Sequence, residues 1–267
     1  MSNYYNRQWR LPNEENKSKV SNYSMDFDSA SSDYIDAGNP TELQITGELS
    51  ISLWFKTSTT PTTSGYLISK GVSPYTSRNF GIWFSSSNTV RAAVNGVSGL
   101  VTSPASNYND DNWHHCVFTF TPSTYTVLYI DGSAVVTNTA SIPSAINNNT
   151  SNLEIGRYVS EYFDGQIDGV SIFNYALSSS QVTTLYGSSS TGIGNPMSLS
   201  PKPVAMYNLG DKSAFNGANY LVPNIAAEEA DGDIAASYSP YALDFDGAND
   251  YINVPNSTDF DFGTADF

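Results

Sequence analysis

Asp168 is the residue whose position carries the sharpest chemical implication. In the run QIDGVSIFN it has the same parity as Val170 and Ile172, so an unbroken strand would turn all three toward a core. Burying an unpaired carboxylate costs several kcal/mol, so an inward Asp168 needs a bound cation, backbone N–H groups or an arginine. Calcium suits such a place because it accepts carboxylate and carbonyl oxygens in a flexible shell. The plain alternative is a hydrogen-bonded aspartate at a strand end.

A second constellation could bind sugar. The stretch GVSPYTSRNFG offers Tyr75, Arg78 and Asn79, and Trp83 follows on the strand face opposite Ile82. Exposed aromatic rings beside planar polar groups on a loop are what a glycan site needs. The competing reading is an ordinary loop followed by a residue on the second face of a sheet, since sandwiches use Trp and Tyr as filling.

Other chemistries find little support. His114 and His115 are the only histidines, and adjacent residues on a strand point to opposite faces, so they cannot ligate one metal together. One packed and one exposed ring is expected. No serine or cysteine nucleophile motif, glycine-rich phosphate loop or Cys/His metal cluster occurs, and no enzymatic activity is expected. The single cysteine, Cys116, lies in a strand-like run where a buried, inert thiol is expected.

The elements that must position these residues are short strands. In LSISLWFK, Leu49, Ile51, Leu53 and Phe55 share one face, and Ser50, Ser52, Trp54 and Lys56 share the other. Phe80, Ile82 and Phe84 lead through a turn at Ser85 to Asn88 into Val90, Ala92 and Val94, with Asn95-Gly96 as the next turn. Asp131-Gly132 between two apolar arms predicts a tight hairpin. One helix is expected in ALSSSQVTTLYG, capped by Ser178 and ended by Gly187.

Composition agrees with an all-β chain: 18 Tyr and 13 Phe accompany many Thr, Val and Ile, with Ser, Asn and Gly between the apolar runs. A net charge of −15 would repel phosphate backbones and anionic lipid, so neither nucleic acid nor a membrane surface is an expected partner. No signal peptide or apolar membrane span is read, so the chain is expected to remain in the producing cell or to leave it by lysis.

The run SSSTGIGNPMSLSPKP lacks periodicity and reads as a linker over 188–202. An internal repeat flanks it: Tyr23-Ser-Met-Asp-Phe-Asp-Ser-Ala-Ser-Ser-Asp33-Tyr-Ile35 returns as Tyr241-Ala-Leu-Asp-Phe-Asp-Gly-Ala-Asn-Asp250-Tyr-Ile252. The expected organisation is an N-terminal arm over 1–22, a complete sandwich over 23–187, the linker, and the N-terminal part of a second unit over 203–267.

Together YSMDFDSASSDYIDAG, GELSISLWFKT, NWHHCVFTFTPSTYTVLYIDGSAV and FDGQIDGVSIFNYALSSSQVTTLY resemble the laminin G-like branch of the concanavalin A-like lectin/glucanase superfamily. The resemblance implies a jelly-roll β-sandwich of two antiparallel sheets, with the beginning of a second sandwich at the C-terminus. It also implies a structural calcium held between the opening turn and the closing strand, here by Asp28, Asp33 and Asp168, although Ser29 replaces the usual glycine. Enzymes of the superfamily that cut β-glucans carry a Glu-X-Asp-X-X-Glu strand, and this sequence has no such spacing.

Tandem domains of this kind resemble those of tailed-bacteriophage virion proteins. The implied function is a non-catalytic binding or structural module of a fibre or capsid surface. Its expected partners are a host-surface glycan or neighbouring virion proteins, within a homo-oligomer or larger assembly. The alternatives are an extracellular bacterial adhesin and an accessory glycan-binding module of a polysaccharide-degrading enzyme.

Overall fold

A computed structural model describes residues 24–104, 107–188 and 193–209, together with the short strands at 214–215 and 220–221. The strands are β1 (Met25–Phe27), β2 (Ile35–Asp36), β3 (Leu49–Lys56), β4 (Ser64–Gly71), β5 (Arg78–Ser85), β6 (Val90–Val94), β7 (Ser98–Thr102), β8 (His114–Thr121) and β9 (Tyr125–Ile130). They continue as β10 (Ser133–Asn138), β11 (Leu153–Ile155), β12 (Arg157–Tyr158), β13 (Glu161–Tyr162), β14 (Gly165–Phe173), β15 (Ala205–Tyr207), β16 (Ala214–Phe215) and β17 (Tyr220–Leu221). One α-helix, α1 (Ser179–Tyr186), occurs among the described residues.

All of these strands but β12 and β13, which pair with each other as a separate two-stranded ribbon, form two sheets with a common core. The first runs β1-β14-β3-β8-β9-β10, with β15 also on β14; the second runs β16-β17-β2-β11-β4-β5-β6-β7. The period-2 expectation holds on β3, where Leu49, Ile51, Leu53 and Phe55 are fully buried in the core with Phe118 and Phe120 of β8. Phe80, Ile82, Phe84, Val90, Ala92 and Val94 meet them from the second sheet. The fold is therefore the expected all-β jelly-roll-like sandwich.

Local punctuation also behaves as its chemistry requires. Asp131 and Gly132 both take positive φ, 50° and 77°, as a two-residue hairpin between β9 and β10 demands. Ser178 and Gln181 form a reciprocal capping box on α1, and Gly187 ends it by donating its N–H to Thr183. The helix covers the outer face of the first sheet, where Val182 and Leu185 pack on Val117, Val127 and Phe173. That cover explains why the polar face of β3 is not wet: Ser50 hydrogen-bonds the carbonyl of Tyr175 and the N–H of Leu177, and Ser52 pairs with His115 at 2.9 Å.

Two expectations need correction. Asp168 does not share the inward face of Val170 and Ile172, because the register of β14 against β3 shifts between Asp168 and Ser171. Gly169 supplies the positive φ, 57°, of that bulge. Ile167 takes the core position instead, and Asp168 is left half-buried, its carboxylate accepting the Gly169 N–H at 2.7 Å.

The boundary at 188–202 is not free linker where it is described. Asn195 caps a short 3-10 turn at Pro196–Ser198, and Met197 packs against Met206. Strand β15 then extends the first sheet along β14 beyond the end of β1, with Val170 opposite Tyr207, and Ala205 and Leu209 fully buried. Residues 203–209 thus complete the first sandwich, since an apolar AMY triplet fills an edge that would otherwise stay unpaired. The arm 1–22, Tyr23 and the repeated motif from Tyr241 to Ile252 lie outside the described residues.

The two histidines occupy opposite environments, as strand geometry predicts. His115 is 1% exposed, stacked on Trp54, with burial lowering its pKa to about 4. His114 is held above its ordinary value of 6.5, chiefly by the Asp131 carboxylate at 2.9 Å and also by Asp110, with burial opposing. Cys116 beside them is buried, and its thiol is pushed well up by desolvation.

The signs of these shifts oppose one another across pH 6.5. Between pH 4 and 6.5 the unfolded chain protonates His115 and the folded one does not, so stability rises with pH, by on the order of 3 kcal/mol over the window. Above pH 6.5 the folded state retains the His114 proton longer, so that contribution is lost as pH rises through its raised value. Urea unfolding as a function of pH should show maximal stability near pH 6.5, with His115→Gln flattening the acid limb and His114→Gln the alkaline limb. Wild-type stability that is unchanged from pH 5 to 8 would contradict this reading.

Candidate functional site

The residues expected to present a sugar-binding loop are instead inside the protein. Arg78, Asn79 and Trp83 are only 1%, 1% and 6% exposed; nothing is described of the Tyr75 side chain. Trp83 does lie opposite Ile82, on the outer face of the second sheet, but the β12–β13 hairpin folds across that face and brings Tyr158 onto it. The Arg78 guanidinium sits in the resulting box, 4.4 Å from the Trp83 ring centroid, 5.4 Å from Tyr66 and 5.6 Å from Tyr158. It donates to the Tyr66 hydroxyl and the Gly96 carbonyl, while Tyr158 donates its hydroxyl to the carbonyl of Val72 at 2.7 Å. A delocalised cation between aromatic faces is a packing device, and its burial overturns the expectation of exposure.

Nor do the three aspartates converge. Asp28 and Asp33 close one turn: the Asp28 N–H donates to Asp33 at 3.0 Å, and the Asp28 carboxylate accepts from Ala30 N–H and the Ser31 hydroxyl. These hydrogen bonds, that of Ser31 first, hold the Asp28 carboxyl below its ordinary value. Pairing of Phe27 with Gly165 puts this turn beside Asp164, and Asp168 lies four residues further along β14, about 13 Å away at strand rise. Among the described residues no group of three His, Cys, Asp or Glu side chains could hold a metal ion. The expected calcium set does not fit one ion.

What the fold does build is a polar cleft of about 280 Å³ at one end of the sandwich. It lies between the β3–β4 loop, the β12–β13 hairpin and the turn after β1. Ser29, Thr59, Thr63, Glu161, Tyr162 and Asp164 line it over a floor that includes the buried Phe84 and Phe163. Asp164 joins the three segments. Its carboxylate accepts the Ser29 hydroxyl and the Thr59 hydroxyl, each at 2.9 Å, and its carbonyl accepts the Thr57 hydroxyl at 2.7 Å.

Neighbouring contacts hold the rest of the cleft in shape. Thr60 donates to Asn88 at 2.6 Å and accepts from Asn109, bracing the β3–β4 loop against two other segments. Tyr162 pairs across its hairpin with Arg157, whose guanidinium pairs with Glu154 and lies 3.3 Å from the Tyr34 ring centroid. Gly65 allows the close approach: a Cβ there would sit 3.3 Å from the Phe163 Cα and from the Tyr162 carbonyl.

Asp164 is not among the residues that spacing or strand parity distinguishes in the sequence. The available signal was the Phe-Asp-small triplet that occurs at Phe27-Asp28-Ser29 and again at Phe163-Asp164-Gly165, two segments that the β1–β14 ladder sets side by side. Gly165 has φ 138°, and a Cβ there would lie 2.3 Å from the Lys56 carbonyl, so the chain can turn into β14 here only without a side chain.

Replacing Arg78 tests the buried box. Arg78→Lys keeps the charge and loses the planar stacking and forked donors, so urea unfolding should show a loss of about 2–3 kcal/mol. A loss below about 0.5 kcal/mol, the scale of an ordinary surface change, would contradict the placement of the guanidinium.

Comparison with known proteins supports the architecture. No curated protein matches the sequence. A candidate carbohydrate binding protein from Bacteroides ovatus is similar in structure at TM-score 0.53 and 14% identity, over 74% of this chain and 54% of that one, so this chain spans about half of that protein's length. Weaker likenesses include the heptameric SAP-like pentraxin of Limulus polyphemus, at TM-score 0.45 and 16% identity over 72% of this chain and 91% of that one. The CBM40 of the Ruminococcus gnavus IT-sialidase, bound to α2,3-sialyllactose, aligns at TM-score 0.47 and 13% identity over 63% of this chain and 99% of that one. Residues 28–183, more than half of the chain, match the laminin G-like family. The chain therefore belongs to the concanavalin A-like lectin/glucanases superfamily.

Proposed function

We propose that this protein is a non-catalytic saccharide-binding module whose ligand lies in the cleft around Tyr162. The observation that carries the reading is a concave surface in which half of the lining residues are threonine or serine, with the Tyr162 ring among them beside its cross-strand partner Arg157. Sugars present hydroxyls that exchange hydrogen bonds with such groups, and apolar C–H faces that pack on an aromatic ring. The bracing of the loops by Asp164 and Thr60 means that little ordering entropy is lost on binding.

Both carboxylate oxygens of Asp164 already accept hydrogen bonds from the protein, which suits a structural role better than that of a nucleophile or a mobile acid. The B. ovatus likeness is one of fold and lends no ligand to this chain. Placement on a virion surface, as a fibre or capsid module within a larger assembly, rests on the sequence resemblance to tailed-bacteriophage proteins and belongs to the same proposal.

A glycan array probed with the full chain should give a defined set of bound oligosaccharides. Tyr162→Ala should weaken each of them at least about tenfold, the equivalent of roughly 1.4 kcal/mol, with the thermal midpoint little changed. Binding that is indifferent to Tyr162→Ala would move the site elsewhere, and release of reducing sugar from a bound glycan would overturn the non-catalytic reading.

A further inference from the structure

Behind the cleft wall one imidazole lies between two carboxylates. The His114 ring places Nδ1 2.9 Å from Asp131 Oδ2 and Nε2 3.2 Å from Asp110 Oδ1. Carboxylate oxygens only accept, so both contacts are hydrogen bonds only when both ring nitrogens carry protons. A neutral ring has one N–H and can serve one carboxylate, while its bare nitrogen faces the other. Asp131 is the partner that stays. Its Oδ1 accepts the His115 N–H at 2.9 Å and its own N–H donates to the His115 carbonyl at 2.8 Å, which fixes it against β8. Asp110 makes the longer contact, from an exposed loop. Among the described residues, the other groups around His114 are Tyr108, edge-on at 5.2 Å, Phe55 of β3 at 5.6 Å, and the Lys56–Asp111 pair close by. On its own strand His115 titrates at about 4, and burial keeps the Cys116 thiol protonated.

The loop that carries Asp110 also touches the cleft. Asn109 donates to the Thr60 hydroxyl at 3.0 Å, Thr60 donates onward to Asn88, and Thr60 lines the cleft. Asp111 ties the other half of the loop to the end of β3, through the Thr57 carbonyl at 3.1 Å and Lys56 at 3.3 Å, and neither contact involves His114. We infer that His114 is a positioning residue of the cleft: its imidazolium clasps Asp110, the clasped loop holds Asn109 on Thr60, and loss of the proton slackens that wall. The proton is retained above pH 6.5, because the Asp131 carboxylate first and Asp110 after it raise the affinity of the ring for it. The consequence for a ligand rests on the reading of the cleft as a saccharide site, whereas the clasp itself does not. By linkage, a sugar that needs Thr60 in place must tighten the His114 proton by the same factor as the proton tightens the sugar.

The experiment measures affinity for an oligosaccharide bound on the array from about pH 6 to about pH 9, beside an NMR titration of the His114 ring with and without that sugar. Affinity should fall about fivefold as pH rises through the His114 midpoint, and the sugar should raise that midpoint by about 0.7 pH unit, the same factor. In His114→Gln the affinity should no longer follow pH. In Asn109→Ala the ring of the free protein should titrate as in wild type while the affinity is flat and low, a separation that a merely structural histidine does not produce. Without sugar, the Thr60 amide should shift with the His114 midpoint in wild type and not in Asn109→Ala. A Thr60 amide that stays put overturns the inference whatever the sugars do. Wild-type affinity independent of pH, with dependence on Tyr162 retained, also overturns it and leaves the saccharide site standing. Absence of binding to any sugar overturns the saccharide reading, and the Thr60 amide alone then decides the clasp.

Discussion

The Asp164 carboxylate is the constraint on which the cleft end of the molecule depends. It stands where β14 begins and accepts hydroxyls from Ser29, in the turn after β1, and from Thr59, in the loop after β3. These segments are far apart in sequence, and only the antiparallel ladders β1–β14 and β14–β3 bring them together. A single side chain thereby converts three loop ends into one surface. The hydrogen bonds are charge-assisted and partly shielded, the setting in which such contacts contribute most.

Both sheets are covered on their outer faces, and each cover uses different chemistry. Over the first sheet, α1 buries an aliphatic cluster, and the serines of β3 find backbone and imidazole partners beneath it. Over the second, a two-stranded hairpin is held by aromatic rings around the Arg78 guanidinium. The second cover also serves the cleft. The hairpin that shields Trp83 with Tyr158 presents Glu161 and Tyr162 to the cleft, so packing on one side fixes cleft-lining groups on the other. Val159 at its tip holds φ 58°, which a β-branched residue rarely adopts and which the surrounding pairs must maintain.

The strands, the Asp131-Gly132 hairpin and the caps of α1 were legible because each is set by neighbours in sequence: alternation, positive-φ turn residues and a reciprocal Ser–Gln cap. Asp168 was misplaced because parity assumes an unbroken pleat, and one positive-φ glycine after it resets the phase. For Arg78 and Trp83 the sequence leaves an exposed sugar-binding loop and plain sandwich filling both open, because the hairpin that buries them lies some eighty residues downstream, beyond any local pattern. The same is true of the cleft: Thr59, Tyr162 and Asp164 show no common spacing, and their meeting is a product of topology. Residues 203–209 fall to the next unit on the sequence alone because the aperiodic run before them reads as a linker, whereas the edge of β14 decides their place.

The central claim is that the ligand surface is this end of the sandwich, organised by Asp164, rather than the outer face of the second sheet. Backbone amide shifts followed by NMR during titration with an oligosaccharide test it most directly. The account predicts perturbations concentrated at Thr59 to Gly65 and Ser160 to Gly165, with the amides of β6 and β7 unmoved. Perturbations centred on Arg91, Ala93 and Leu100, with the cleft silent, would contradict it.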